Sequence, residues 1–293
     1  MKVVTTLLHG APVFGALLAA GFAYSQDNST ITLQVGPAAA AYRPGSLAYR
    51  ALGLKGAKDA APSTNAAHLA GEIPAITGAG FYPADVSNPG HVPAVVTTKH
   101  HPIYVDKPAS HWGSVGTFLT DLGNSDFMHV VDQYTGSWAD NRYTLGTSFL
   151  ATYPIPANHT LQMSDILTLA HAGASIKGNG FGHIYHVFLP QGVDMCIDAV
   201  TCYSPDNPNT FVFCAFHGSV TFTDLGDVLY SVEPFQNVNG CSAPPTGTPN
   251  GQLIDSTNDT LSHETFEAIS DPDLNSWWVQ AFTFAYGNEI GRK

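Results

Sequence analysis

Between residues 183 and 232 the chain carries three runs rich in β-branched and aromatic residues, and a single long helical pattern follows them. No other feature limits the fold as tightly. His183-Ile184-Tyr185-His186-Val187-Phe188-Leu189, stopped by Pro190, reads as a buried strand. Thr210–Phe216 and Val228–Val232 read as two more. Asn237 to Gly251 is a connection rich in Pro, Gly and Asn. A helix is predicted beyond it from about Asp255 to Ser270, ended by Asp271-Pro272. Upstream, His101–Val105 is a candidate strand. Ser110 can cap a helix carrying Val115, Phe118, Leu119 and Leu122 on one face, ended by Gly123. A second helix is predicted from about Ser125 with Phe127, Val130, Val131 and Tyr134. A third covers Met163 to Ala172. Helices, then strands, then a helix give an α+β (mixed α/β) layer fold, with a sheet packed on helices. There are no internal repeats.

The N-terminus bears on destination. Lys2 precedes an apolar stretch strongest from Val13 to Ala23, and Ala23-Tyr24-Ser25 offers small residues where signal peptidase reads. Residues 1–25 therefore read as a signal peptide cut before Gln26. The stretch is short for a bilayer span and contains Pro12 and Gly15, so an anchor is disfavoured. Residues 26–95 are rich in Gly, Pro and Ala, with no sustained period. They read as a linker or prosegment with some extended structure, ahead of a domain over 96–293. The expected product is secreted and extracellular, with no membrane contact after cleavage. The formal charge is −12. An acidic surface excludes nucleic acid and anionic membranes as natural partners and suits cations.

Four cysteines, Cys196, Cys202, Cys214 and Cys241, cluster late in the chain. In a secreted protein they read as two disulfides. Three pairings are possible; Cys196–Cys202 with Cys214–Cys241 is favoured, since no strand separates the first pair. A four-thiolate zinc site wants closer pairs. Asn28, Asn158 and Asn258 each begin a glycosylation sequon.

The predicted C-terminal helix carries the chemistry. In His263-Glu264-Thr265-Phe266-Glu267, His263 and Glu267 are four apart and share a helix face that a metal ion can bridge. In His-Glu-X-X-His zinc enzymes the Glu beside the first His is the general base, which here is Glu264. The second His is replaced by Glu267, an accepted zinc ligand, although an oxygen-rich set also suits manganese or calcium. Asp271 extends the same stripe and is an alternative ligand. Glu289, 26 residues after His263, can return as a third ligand from a following element.

The remaining candidates carry less. His183 and His186, three apart on a strand, do not share a face. His217 reads as a core or turn histidine, and His100-His101 as a solvated pair ahead of a strand. Trp277-Trp278 reads as buried packing. No Gly-X-Ser-X-Gly elbow supports a serine hydrolase.

The motif Ser262-His263-Glu264-X-X-Glu267-Ala268-Ile269-Ser270-Asp271-Pro272 is followed by Asn275, Trp277 and Gly287-Asn288-Glu289-Ile290-Gly291. Together they resemble the secreted exordium or phosphate-induced protein family and its bacterial and fungal relatives. Pro102-Ile103-Tyr104, Phe118-Leu119-Thr120-Asp121-Leu122, Tyr185-X-Val187-Phe188-Leu189 and Cys214-Ala215-Phe216-His217 occur upstream in fitting order, so the likeness spans about residues 100–293. It implies roles in growth and the extracellular matrix. Asn288-Glu289 is also similar to the glutamate-zincin arrangement of thermolysin-like peptidases. That likeness implies a zincin-like fold in which His263, Glu267 and Glu289 hold zinc while Glu264 activates water. Two functions are expected in order. The first is a secreted metal-dependent hydrolase, metallopeptidase-like, acting on peptide or extracellular matrix substrates. The second is a non-catalytic matrix or growth-signalling protein that keeps a structural metal.

Overall fold

The computed structural model of the chain describes residues 30–36, 40–53 and 86–277. The expected signal peptide lies outside the described residues. So do residues 26–29, 37–39 and 54–85 of the expected linker, and residues 278–293 with Trp278 and Glu289.

Eight strands form one mixed sheet: β1 (Thr30–Gln34), β2 (Ala48–Gly53), β3 (Thr98–Val105), β4 (Tyr143–Leu145), β5 (Ser148–Thr152), β7 (His183–Phe188), β10 (Phe213–Phe222) and β11 (Gly226–Glu233). Their order is β1-β5-β3-β7-β11-β10-β2, with β4 also on β3. From β1 to β11 neighbours run parallel, whereas β10 and β2 are antiparallel to theirs. A small second sheet joins β6 (Thr160–Gln162), β8 (Asp194–Cys196) and β9 (Cys202–Tyr203). The helices are α1 (Val115–Gly123), α2 (Asp132–Thr135), α3 (Met163–Lys177) and α4 (Gln252–Ser270). The architecture is thus mixed α/β, a large mixed sheet with helices on it, which is the class expected at that level.

The central strands read as continuous apolar runs because both faces are covered. On one face α3 buries Ile166, Leu167 and Ala170 against Ile103, Tyr185, Val187, Tyr230 and Val232. Its start is set by a reciprocal cap between Gln162 and Asp165. On the other face α1 and α4 pack over Tyr104, Ile184, Phe188 and Leu229. The bonds Cys196–Cys202 and Cys214–Cys241 tie β8 to β9 and the start of β10 to the segment before α4.

Several boundaries move from expectation. Within the expected linker or prosegment, Thr30–Gln34 and Ala48–Gly53 supply extended structure as strands that pair with β5 and β10 of the main sheet. Composition hid them because edge strands need few apolar side chains when backbone pairing and one face hold them. The strand expected over Thr210–Phe216 is shifted to Phe213–Phe222. His217-Gly218-Ser219 interrupts the apolar pattern but not the ladder. Gly218 is required there, since a Cβ would collide with the carbonyl of Ala48 on β2. Ser110 lies in a 3-10 turn, and α1 begins only at Val115. The second predicted helix is a 3-10 turn, Asp126–Val131, that runs into the short α2, leaving Phe127 exposed.

Candidate metal centre

The second half of α4 is buried almost all round. Glu264, Thr265, Phe266, Glu267, Ala268, Ile269 and Ser270 are consecutive buried residues, a pattern for a helix enclosed by the fold rather than lying on it. Phe266 and Ile269 join the apolar cluster with Ile184 and Leu229. Helical spacing turns Glu264 and Glu267, three apart, to a common face. That face meets β10 at His217, which sits at mid-strand and is fully buried.

His217 Nδ1 is 3.1 Å from Glu264 Oε2 and 3.5 Å from Glu267 Oε2. The other oxygen of Glu267, Oε1, lies 3.0 Å from His263 Nε2. Glu267 therefore stands between two imidazoles, one from its own helix and one from the sheet. Among the described residues one trio, His217, Glu264 and Glu267, places single ligand atoms all within 4.8 Å of one another. The residue types fit a divalent cation, since carboxylate oxygens and imidazole nitrogens are accepted ligands of zinc and manganese.

The sequence-derived candidates fall as follows. His263, Glu264 and Glu267 lie together in this cluster. Asp271 follows the last helical residue, with φ −136°, and its Oδ1 accepts the backbone N–H of Ser276. Glu289 lies outside the described residues. His217 joins the cluster from a strand, where a histidine in an apolar run passes for a core residue. Its signal was its position next to Gly218, where period and side-chain size change together.

The other histidines are also sorted by sheet face. His183 and His186 point to opposite sides, as their spacing requires. His101 Nε2 is 3.0 Å from His183 Nδ1 on the α3 side, and His100 Nδ1 is 2.8 Å from His186 Nε2 beneath the α4 side. His100 and His101 are not a solvated pair: both lie within β3 and are buried, because the strand begins at Thr98. Burial pushes the His100 imidazole down to about 3 and that of His101 to about 4. Trp277 donates its indole N–H to the Tyr134 carbonyl.

Comparison with known proteins adds no relative: no family model, no curated protein and no solved structure matches the chain.

Proposed function

We propose that the chain is a secreted, zincin-like, metal-dependent hydrolase that acts on peptide bonds. The observation that carries this reading is the buried convergence of His217, Glu264 and Glu267. The proposed cofactor is zinc, with manganese or calcium as oxygen-tolerant alternatives. His217, Glu267 and His263 supply the holding groups, and Glu289 is the proposed further ligand. A divalent cation so held would polarise a carbonyl and lower the pKa of a bound water. Glu264 supplies the carboxylate that accepts a proton, and His217 Nδ1 fixes its Oε2. The two disulfides and the leader-like N-terminus support an extracellular place of action.

One observation favours a second reading, a matrix or signalling protein with a structural ion. His217 and Glu264 are 0% exposed and Glu267 is 1% exposed, and structural metal sites are closed where catalytic ones keep an open position. Metal content and cleavage of a denatured protein substrate, measured with and without a chelator, separate the two. Glu267→Gln is expected to lose the ion. Glu264→Gln is expected to keep it and to lower hydrolysis about 100-fold or more. Bound metal with no cleavage by the unsubstituted chain selects the second reading, and a folded chain without metal removes both.

A further inference from the structure

The sheet face beneath α4 holds a second set of buried polar groups that the cluster above leaves unexplained. They are His100 on β3, His186 on β7, and Ser231 and Glu233 on β11, none more than 1% exposed. His100 Nδ1 is 2.8 Å from His186 Nε2, His186 Nδ1 is 2.8 Å from Ser231 Oγ, and the Ser231 hydroxyl donates to Glu233 Oε1 at 2.7 Å. One end of this file fixes the rest. Ser231 has a single proton and gives it to Glu233, so it accepts from the Nδ1–H of His186. A neutral imidazole has one N–H, so His186 Nε2 is an acceptor and takes the Nδ1–H of His100. Burial keeps both rings neutral, with His186 well below its ordinary value. Every donor in the file therefore points toward Glu233.

The second oxygen of Glu233, Oε2, is buried and has no hydrogen-bond partner among the described residues. Its surroundings follow from the register. Ser231 is the cross-strand partner of His217, and Glu233 is two residues further on, so His217 and Glu233 face the same side. Helix α4 lies over both β10 and β11 on that side. Along β11, Leu261 of α4 clusters with Phe188, the cross-strand partner of Glu233, while Phe266 and Ile269 cluster with Ile184 and Leu229, so the His263 turn of α4 lies at the Glu233 end of the strand. Burial raises the Glu233 carboxyl to about 7, with the Ser231 hydroxyl and then His263 drawing against that rise. Around this file the face carries apolar residues such as Ile184, Phe188 and Leu229. Packing alone does not call for a polar file there, because buried polar groups are neutral to costly against apolar ones of similar volume.

We propose that Glu233 is a positioning residue of the cation centre: held by Ser231, His186 and His100, it sets the orientation of His263 and, through it, of Glu267. The inference rests on the cation reading above. A carboxylate behind a histidine at a metal site fixes the ring and strengthens the site without touching the ion.

The test is a titration of the metal-stripped chain with Zn²⁺ against a chelating dye. Glu233→Gln is expected to keep the stoichiometry and weaken binding about 10- to 100-fold, and Ser231→Ala to weaken it less. If Glu233 acts through His263, the double variant Glu233→Gln/His263→Ala binds no more weakly than the worse single variant. Affinity unchanged in Glu233→Gln, or losses that multiply in the double variant, overturn the proposal while leaving the cation reading standing. An unsubstituted chain that binds no Zn²⁺ or Mn²⁺ overturns the cation reading itself, and this role falls with it. Should Glu233→Gln fail to fold by circular dichroism, folded Ser231→Ala decides: full affinity there overturns the role.

Discussion

Glu267 has to serve two imidazoles at once, one 3.0 Å from Oε1 and the other 3.5 Å from Oε2, and that double contact sets how single side chains matter here. The histidines under the sheet make the same point through protons. In an unfolded chain they take up a proton near 6.5. In the fold, burial holds His100 to about 3 and His101 to about 4, with His186 also far down. Between these values the unfolded state binds more protons than the folded one. The stabilisation is therefore complete above about 6.5 and is lost as pH falls toward 4, by about 1.4 kcal/mol per pH unit for each such ring. Urea unfolding at pH 7, 5.5 and 4.5 should show the midpoint falling steeply; a flat midpoint would mean the rings are not buried neutral. At this scale the sequence was legible where residues share one element. The pairing of His263 with Glu267 follows from helical spacing. His217 and Glu233 were not legible, because strands buried on both faces erase the alternation that would have set them apart.

Elements were legible in proportion to their length. The predicted helices over α3 and α4 and the strand β7 were long and periodic enough to place from the chain. The two- and three-residue strands β4, β6, β8 and β9 have no period to read and exist through their partners. α2 has four residues and cannot stand on its own hydrogen bonds. It is anchored by Asp132, which pairs with Arg142 just before β4; both are buried. Arg142 also donates to the carbonyls of Val96 and Ala139, to the Thr135 hydroxyl and to the Tyr143 hydroxyl oxygen. Asp132→Ala leaves that guanidinium buried without its carboxylate. The expected loss is about 3–5 kcal/mol in chemical denaturation, and a loss below about 1 kcal/mol would show that the remaining carbonyls suffice.

For the whole molecule, the informative departure is the N-terminal third. Residues 26–95 lack any sustained pattern, yet β1 and β2 close opposite edges of the sheet, and Leu33 and Val35 are buried in its larger core. Strand partners more than a hundred residues away leave no mark on local composition. A chain beginning at residue 96 is therefore expected to be destabilised, not released as a prosegment would release its domain. Losing two buried aliphatic side chains at about 1.5–3 kcal/mol each, together with the edge pairing, should lower Tm by on the order of 10 °C. Thermal unfolding of the two chains side by side checks this, and an equal Tm would favour the prosegment reading.

The placement of β2 beside β10 has a consequence for biosynthesis. The first strands to be made have their partners in β5 and β10, so they emerge long before anything can pair with them, and the helix bearing His263, Glu264 and Glu267 is the last element of the described fold to be synthesised. The cluster can close only after α4 has been made, by which point every described strand of the sheet beneath it has already been synthesised. Any ion it holds would therefore enter a site whose sheet side is complete before its helix side arrives.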